Sequence, residues 1–178
     1  VVVNPKAFLR EIGQLEAKGY KTDHVFISRR AHVIMPYHIM LDTYREEELG
    51  GTQIGTTKKG IGPCYEDKIA RVGIRMIDLL NPEVLKEKIE KNLKIKNNLF
   101  EKYFGKPAMS FDEIYNEFLE IGKQLQDRIV DTELELNEAI RDNKNILFEG
   151  AQALMLDIDF GTYPYVTSSS PSTGGVCT

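Results

Sequence analysis

The chain has 178 residues, of which 42% are hydrophobic and 28% charged, a composition typical of a soluble globular domain with its own core. Its 23 Lys and Arg against 27 Asp and Glu give a formal net charge of −4, which argues against a broad nucleic-acid-binding surface. The two cysteines and three histidines have no metal-ligand spacing and no apolar run is long enough to span a membrane, so we expect neither a zinc site nor a membrane protein.

The first part of the chain has strand–helix–strand order. Val1–Val3 is a β-branched strand end, and Asn4 followed by Pro5 is a helix start, with Asn as the N-cap and Pro in the first helical position. The helix stripe is Phe8, Ile12 and Leu15, Gly19 ends the helix, and the next strands are predicted at His24–Ile27 and Ala31–Met35. This order predicts an α/β fold with a mostly parallel sheet covered by helices.

Residues 50–63 are rich in glycine, and we predict neither a helix nor a regular strand there. The segment Gly55–Pro63 leads into a helix, an arrangement that suits an anion because glycines let backbone N–H groups approach it and a helix N-terminus adds positive potential. It is not a Walker A loop. The alternative is a flexible surface loop in which Lys58 and Lys59 are merely solvated.

Residues 64–142 are predicted to be helical and to form an insertion between strands of the sheet. A helix from Tyr65 has the stripe Ile69, Val72, Met76, Leu79 and Leu80, and Asn81 with Pro82 starts the next one. Capping boxes at Ser110 and Glu113 and at Thr132 and Glu135 start two more helices. The stripe after Ser110 is Ile114, Phe118, Ile121, Leu125 and Ile129, and the last helix contains Leu136 and Ile140.

A strand is predicted again at Asn145–Phe148, followed by a loop through Gln152 and a tail rich in Gly, Thr, Ser and Tyr. Open α/β sheets bind ligands at strand carboxyl ends, and the amide of Gln152 could both donate and accept at a base edge, although a structural role is also open. The hydroxyls of residues 167–170 could reach a phosphate or form a plain loop. Asp157 and Asp159 could be an acid pair or turn and core residues.

Together these motifs resemble the adenylosuccinate synthetase family. Gly55–Lys68 reads GTTKKGIGPCYEDK and is similar to the family signature GTT-x-[RK]-GIGP-x-YEDK. Phe148–Gln152 is similar to its FEGAQ segment, and Leu156–Asp159 and Gly161–Ser169 are similar to its LDID and GTYPYVTSS runs. The motifs occur in the family's order and spacing, and the likeness extends over the whole chain, although residues 82–142 match only in general character.

The resemblance implies a P-loop NTPase-like fold and a homodimeric ligase that uses GTP and Mg²⁺. In this reaction GTP phosphorylates the 6-oxygen of IMP, and the amine of L-aspartate then displaces that phosphate, giving adenylosuccinate. It further implies that Thr57 binds the 5′-phosphate of IMP and that Arg71 binds the same phosphate group in the other subunit. Gln152 is then expected to face the 6-position of the base, and Thr167 to contact IMP near its phosphate.

Some positions depart from the family pattern. Lys58 and Ala153 stand where relatives often have Gly, and Ser170–Ser172 stands where Asn-Thr-Thr is usual. The family's amino-terminal Gly-rich loop, its catalytic Asp and His, and its aspartate- and guanine-binding segments do not occur in these residues, so the Mg²⁺ ligands are expected outside them. We therefore interpret residues 1–178 as the central part of one synthetase domain, truncated at both ends and inactive alone.

Two other functions remain open from the sequence. The chain could be a module that binds a nucleotide phosphate without catalysis, or a helical interaction domain that uses only its charged helices. The signature loops favour the enzyme over the interaction domain. Two thiols without a disulfide framework favour a reducing compartment, and we expect a cytoplasmic protein without nucleic-acid or membrane partners.

Overall fold

The fold is built on two short parallel strand pairs surrounded by helices, seen in a computed structural model that describes residues 1–50 and 57–177. Strand β1 pairs with β3 and strand β2 with β4, so the predicted α/β class with a parallel, helix-covered sheet is confirmed. The strands are β1 (Val2–Val3), β2 (Ile27–Ser28), β3 (His32–Val33) and β4 (Ile129–Val130). The helices are α1 (Pro5–Ala17), α2 (Pro36–Leu49), α3 (Ile61–Ile69), α4 (Pro82–Lys102), α5 (Phe111–Leu125) and α6 (Thr132–Arg141), with a 3₁₀ helix at Met76–Leu80.

The first part of the chain has the predicted strand–helix–strand order, but β1 pairs with β3 rather than with β2, the strand that directly follows α1. The Asn4 side chain caps α1 by accepting hydrogen bonds from the N–H groups of Lys6 and Ala7, both at 3.1 Å. The second strand begins later than the predicted His24, because pairing of Ile27 with Ile129 and of Ser28 with Val130 sets its position. The first and last residues of a strand are therefore set by the strand it pairs with, and the local sequence carries no information about that partner.

The core lies where α2, α4, α5 and the 3₁₀ helix meet. The predicted α5 stripe is buried from Ile114 to Leu125 and continues into β4 at Ile129. Ser110 is the N-cap of α5, as predicted, and accepts from the Glu113 N–H at 3.4 Å. The largest buried side chains of this core include Tyr37, Met35, Leu41, Met76, Leu79, Leu85, Ile89, Phe100 and Phe118.

Helix α2 has no counterpart among the predicted elements. Its buried face carries Tyr37, Leu41 and Tyr44, at the i, i+4, i+7 spacing of an amphipathic helix, after Pro36 in the first position. The signal was therefore present in the sequence, but it was masked by the preceding strand pattern, which runs without a break from Ala31 to Met35.

The predicted single helix from Tyr65 to Leu80 is wrong. Helix α3 starts earlier, at Ile61, and ends at Ile69, which is 74% exposed. The carbonyl of Asp67 accepts from the N–H groups of both Val72 and Gly73, each at 3.0 Å, and this closes the helix before the separate 3₁₀ helix begins. The prediction of no helix in residues 50–63 is likewise wrong from Ile61 onward, while its residues 51–56 lie outside the described part.

The predicted strand at Asn145–Phe148 is also wrong. This segment pairs with no described strand, and Leu147 is 87% exposed. The N-cap of α6 is Asp131 rather than Thr132, and no residue of α6 is buried, including Leu136 and Ile140. An apolar pattern shows which face could be buried, but burial requires an element packed against it. Among the described residues, no helix is both long and apolar enough to cross a membrane.

Candidate functional site

An open cleft of about 1620 Å³ brings together three of the four predicted site residues. Thr57, Gln152 and Thr167 all line it, although 95 residues separate Thr57 from Gln152 in the chain. The first turn of α3 forms part of one wall, and the tail from Tyr165 to Cys177 forms much of another. Arg71 is not among the residues that line this cleft.

The α3 end of the cleft is set by Gly60. Gly60 has φ +74°, and a Cβ there would lie 2.7 Å from the Ile39 nitrogen, so only glycine allows this approach to α2. Its N–H donates to the buried Asp42 carboxylate at 2.9 Å. The start of α3 is thus held against α2 with Thr57 three residues away. Helix N-terminal N–H groups attract anions, so this wall suits a phosphate.

The Thr167 end of the cleft is held by main-chain hydrogen bonds. The Thr167 N–H donates to the Leu156 carbonyl at 2.9 Å, and the Ile158 N–H donates to the Ser169 carbonyl at 3.2 Å. The Thr167 and Ser169 hydroxyls are 3.2 Å apart and hydrogen-bonded. A Cβ on Gly62 of α3 would lie 3.3 Å from the Ser168 hydroxyl, so the two walls meet closely at this point.

Asp157 organises the same loop from inside. Its side chain is buried, and one oxygen accepts from the N–H groups of Asp159 and Phe160 at 2.9 and 3.2 Å, while the other accepts from the Ser172 N–H at 3.1 Å. These backbone hydrogen bonds, that from Asp159 foremost, lower the pKa of Asp157. Asp157 thus has the turn and core role rather than that of an acid pair with the exposed Asp159.

Gln152 and Arg71 share an uncommon backbone conformation. Their φ angles are +66° and +64°, in the left-handed region that L-residues rarely adopt, and Lys58, next to Thr57, has φ +52°. Such conformations cost about 1–3 kcal/mol and cluster at functional sites. Three of the four described non-glycine residues with positive φ are therefore predicted site residues or the neighbour of one, a relation that sequence patterns do not reveal.

Arg71 lies in a turn rather than on a helix. Its N–H donates to the Lys68 carbonyl at 3.1 Å just beyond the end of α3, and its side chain is exposed. The prediction that it lies along a continuous helix is wrong, because α3 closes at Ile69. Arg71 remains separate from the cleft, which the other three residues share.

A buried polar cluster under α3 was not identified from the sequence. His38 Nε2 is 2.9 Å from one oxygen of Asp67, and Lys96 Nζ donates to the other at 2.7 Å. His38 Nδ1 accepts from the Met35 N–H at 3.0 Å, which places the ring proton on Nε2, facing Asp67. Asp67 of α3 lies 29 positions from His38 of α2 and 29 positions from Lys96 of α4. No local sequence motif therefore contains the cluster.

Burial and hydrogen bonding oppose each other at Asp67. Burial acts to raise the pKa of Asp67, but the hydrogen bonds from His38 and Lys96 outweigh it and the pKa is lowered. Burial lowers the pKa of His38, which keeps its ring neutral. The cluster therefore consists of one Asp–Lys ion pair and a neutral imidazole that donates to the same carboxylate.

The described residues do not form a metal centre. No three His, Cys, Asp or Glu side chains in residues 1–50 and 57–177 cluster as metal ligands. The described residues therefore do not fit a Mg²⁺ site, and the Mg²⁺ ligands that the resemblance implies stay a prediction for parts of the family outside residues 1–178.

Comparison with known proteins assigns the whole chain to one family. A family model described as adenylosuccinate synthetase matches residues 1–178. The chain is 58% identical to the adenylosuccinate synthetase of Fusobacterium nucleatum, covering 100% of this chain and 42% of that protein. It is 56% identical to the enzyme of Lactobacillus delbrueckii subsp. bulgaricus, covering 99% of this chain and 41% of that protein.

The fold comparison gives the same result. The structure of fully ligated adenylosuccinate synthetase from Plasmodium falciparum matches with a TM-score of 0.87 and 40% identity, over 98% of this chain and 40% of that one. The chain therefore spans about two fifths of the length of the relatives that it matches.

Proposed function

Because the chain belongs to the adenylosuccinate synthetase family, we propose that the protein is a ligase that forms a C–N bond between IMP and L-aspartate, using GTP, in AMP biosynthesis. One observation carries this proposal: Thr57, Gln152 and Thr167 line a single cleft although they lie far apart in the chain. The family resemblance assigns all three to IMP. We propose that the cleft is the IMP site.

The phosphate of IMP binds between Thr57, the first turn of α3 and Thr167. Two features support this position: the N–H groups at the start of a nine-residue helix and the hydroxyls of Thr167 and its neighbours in the cleft. Phosphate oxygens accept hydrogen bonds from both kinds of donor. Tight packing of Gly60 against α2 holds the helix start in place, so little reorganisation accompanies binding.

Gln152 faces the 6-position of the base. The reaction transfers the γ-phosphoryl group of GTP to the 6-oxygen of IMP, and the aspartate amine then displaces that phosphate as the C–N bond forms. Negative charge develops at the 6-oxygen, and an amide N–H held nearby stabilises it. The left-handed backbone at Gln152 supports this role, since strained conformations accompany side chains that must point in a set direction.

The other substrates are GTP and L-aspartate, with Mg²⁺ as the cofactor that supports phosphoryl transfer when bound. The resemblance assigns their binding residues to parts of the family that do not occur in these 178 residues. We further propose that residues 64–142 are a helical insertion within one synthetase domain, and that the protein acts in the cytoplasm.

Arg71 acts across a two-fold homodimer, on the IMP phosphate of the partner subunit. Its position supports this role, because the side chain is exposed and lies outside the cleft that holds the other three residues. An arginine fork can bind two phosphate oxygens and keeps its charge at any working pH. In a two-fold dimer each subunit gives the arginine that it receives.

The proposal is tested at Gln152. Gln152→Ala in the full-length protein should lower kcat by about 10²–10³-fold, the usual loss for one such donor, with a KM for IMP within about threefold of wild type if binding is carried by the phosphate contacts. The measurement is steady-state adenylosuccinate formation from IMP, GTP, Mg²⁺ and aspartate. Near-normal turnover would show that the assignment of Gln152 is wrong.

Two variants serve as controls. Gln152→Gly removes the same amide but adopts the left-handed conformation readily, so it should lose as much activity as Gln152→Ala if the amide is what matters. Gln124→Ala, on the exposed face of α5, should leave turnover unchanged. A non-catalytic phosphate-binding module, the alternative function, would bind IMP but show no product with any of these proteins, including wild type.

A further inference from the structure

We infer that Asp67, held by His38 and Lys96, is a positioning residue that directs Arg71 toward the partner subunit and so acts on the partner's site rather than on its own. This inference rests on the proposed function, and in particular on Arg71 acting in trans. Two sets of contacts carry it. The first attaches α3 to α2 at each end, and the second consists of the hydrogen bonds that the main-chain carbonyl and the side-chain carboxylate of Asp67 accept.

Helix α3 is attached to α2 at both ends. At its start, Gly60 donates to Asp42 at 2.9 Å and packs so closely that a Cβ would lie 2.8 Å from the His38 carbonyl carbon. Near its end, a carboxylate oxygen of Asp67 lies 2.9 Å from His38 Nε2. His38 thus contacts both ends of a helix only nine residues long, and α3 cannot shift along α2 without breaking one of these contacts.

Asp67 links this attachment to the turn that carries Arg71. Its main-chain carbonyl accepts from Val72 and Gly73, the two residues directly after Arg71. Its side chain is fixed by His38 from α2 and Lys96 from α4. Arg71 lies between these contacts with φ +64°, a conformation that its own side chain does not favour and that the surrounding hydrogen bonds must maintain.

Asp67 lies away from the cleft of its own subunit. The residues that line the cleft include Asp42 and the first turn of α3, but not Asp67, His38, Lys96 or Arg71. A change at Asp67 can reach the partner's IMP site through the Arg71 turn and its own site only by moving α3, whose residues Gly62 and Tyr65 line the cleft, and mixed dimers separate these two routes. If Arg71 serves the partner, then loss of Asp67 damages the partner's site and leaves its own site intact, a pattern that a general packing defect does not produce.

The test uses full-length protein and mixed dimers. Asp67→Asn keeps the shape of the side chain but removes its charge, and the homodimer should show a KM for IMP raised about 3–30-fold with a smaller change in kcat, because phosphate positioning rather than chemistry is affected. The second chain is Gln152→Ala, which cannot turn over but has an intact Asp67 and Arg71. A mixed dimer should have one active site with a wild-type KM for IMP.

The reference arm mixes Arg71→Leu with Gln152→Ala. Recovery there supports the trans role of Arg71, and absence of recovery with heterodimers shown to form overturns the trans role and this inference with it. If the Arg71 arm recovers but the Asp67 mixture keeps the raised KM, then Asp67 acts on its own subunit and only this inference is overturned. An unchanged KM in the Asp67→Asn homodimer also overturns it.

Lys96→Met keeps the test decisive if Asp67→Asn does not fold. It retains the aliphatic stem of a largely buried lysine and removes one partner of Asp67. It should raise the KM for IMP by a smaller factor than Asp67→Asn and recover in the same mixed dimer, and a raised KM that persists there overturns the inference. The matched control is Lys94→Met on the exposed face of the same helix, which should leave both parameters unchanged.

Discussion

Among the single residues, Arg71 and Gln152 combine exposure with left-handed backbone. Neither residue gains enough packing from its side chain to explain the conformation, since both are exposed. The stabilisation comes from neighbours, such as the hydrogen bonds that close α3 around Arg71. Glycine would be the relaxed choice at either position, so backbone stability does not explain these two long polar side chains.

His32 should make the protein sensitive to mild acid. It is buried in β3, and this burial, with the positive charges of Arg75 and Lys68, lowers its pKa from 6.5 to about 4, against the opposing effect of Asp78. Between these values the unfolded state binds a proton that the folded state does not. The free energy of unfolding should therefore fall as pH decreases from 6.5 to 4, by about 1–3 kcal/mol after solvent screening.

The measurement is urea unfolding at several pH values between 7 and 4. His32→Gln should make this part of the profile less steep, because the variant lacks one of the two buried imidazoles, His32 and His38, whose pKa values are lowered. His24→Gln is the control, since that side chain is exposed to water in the folded state as well as the unfolded state. An equal decline in wild type and His32→Gln would mean that other groups cause it.

Among the elements, the contact between α5 and the 3₁₀ helix at Met76–Leu80 is the closest described at a glycine of an α-helix. A Cβ on Gly122 would lie 2.3 Å from the Leu79 carbonyl oxygen, an approach that no side chain allows. Alanine favours a helix interior over glycine by about 1 kcal/mol. Because backbone must move to relieve the clash, we expect Gly122→Ala to destabilise the protein by about 1–3 kcal/mol despite that preference.

Gly13 in α1 provides the matched comparison. It is exposed, and a Cβ there would meet nothing within 4 Å, so Gly13→Ala should stabilise the protein by about 0.5–1 kcal/mol. Chemical denaturation of both variants beside wild type measures the two effects. Shifts of the same sign would contradict the packing argument, since helix propensity alone predicts stabilisation at both positions.

At the scale of the whole molecule, the proposed function assigns IMP binding to the cleft of this chain. It assigns the other parts of the reaction to segments outside these 178 residues and to the partner subunit. The chain spans about two fifths of its relatives' length, and the catalytic Asp and His implied by the resemblance are not among its motifs. We therefore expect the 178 residues, assayed alone with IMP, GTP, Mg²⁺ and aspartate, to form no adenylosuccinate above a buffer control. Turnover by this chain would contradict that division.

The sequence by itself determined the elements whose signals are local. The Asn4 cap, the Ser110 cap and the α5 stripe need only neighbouring residues, because caps and amphipathic faces are satisfied within one or two helical turns. The family was also readable, since its motifs are contiguous runs, and those runs contain every residue proposed to bind IMP except Arg71, which follows one of them closely.

Only the tertiary structure decided how these pieces meet. The end of α3 at Ile69, the turn at Arg71 and the His38–Asp67–Lys96 cluster depend on contacts between α2, α3 and α4, whose residues lie far apart in the chain. The predicted strand at Asn145–Phe148 failed for the same reason, because a strand exists only when another strand supplies its hydrogen bonds. The cleft shared by Thr57, Gln152 and Thr167 likewise arises from packing between distant segments, a long-range property that no local pattern encodes.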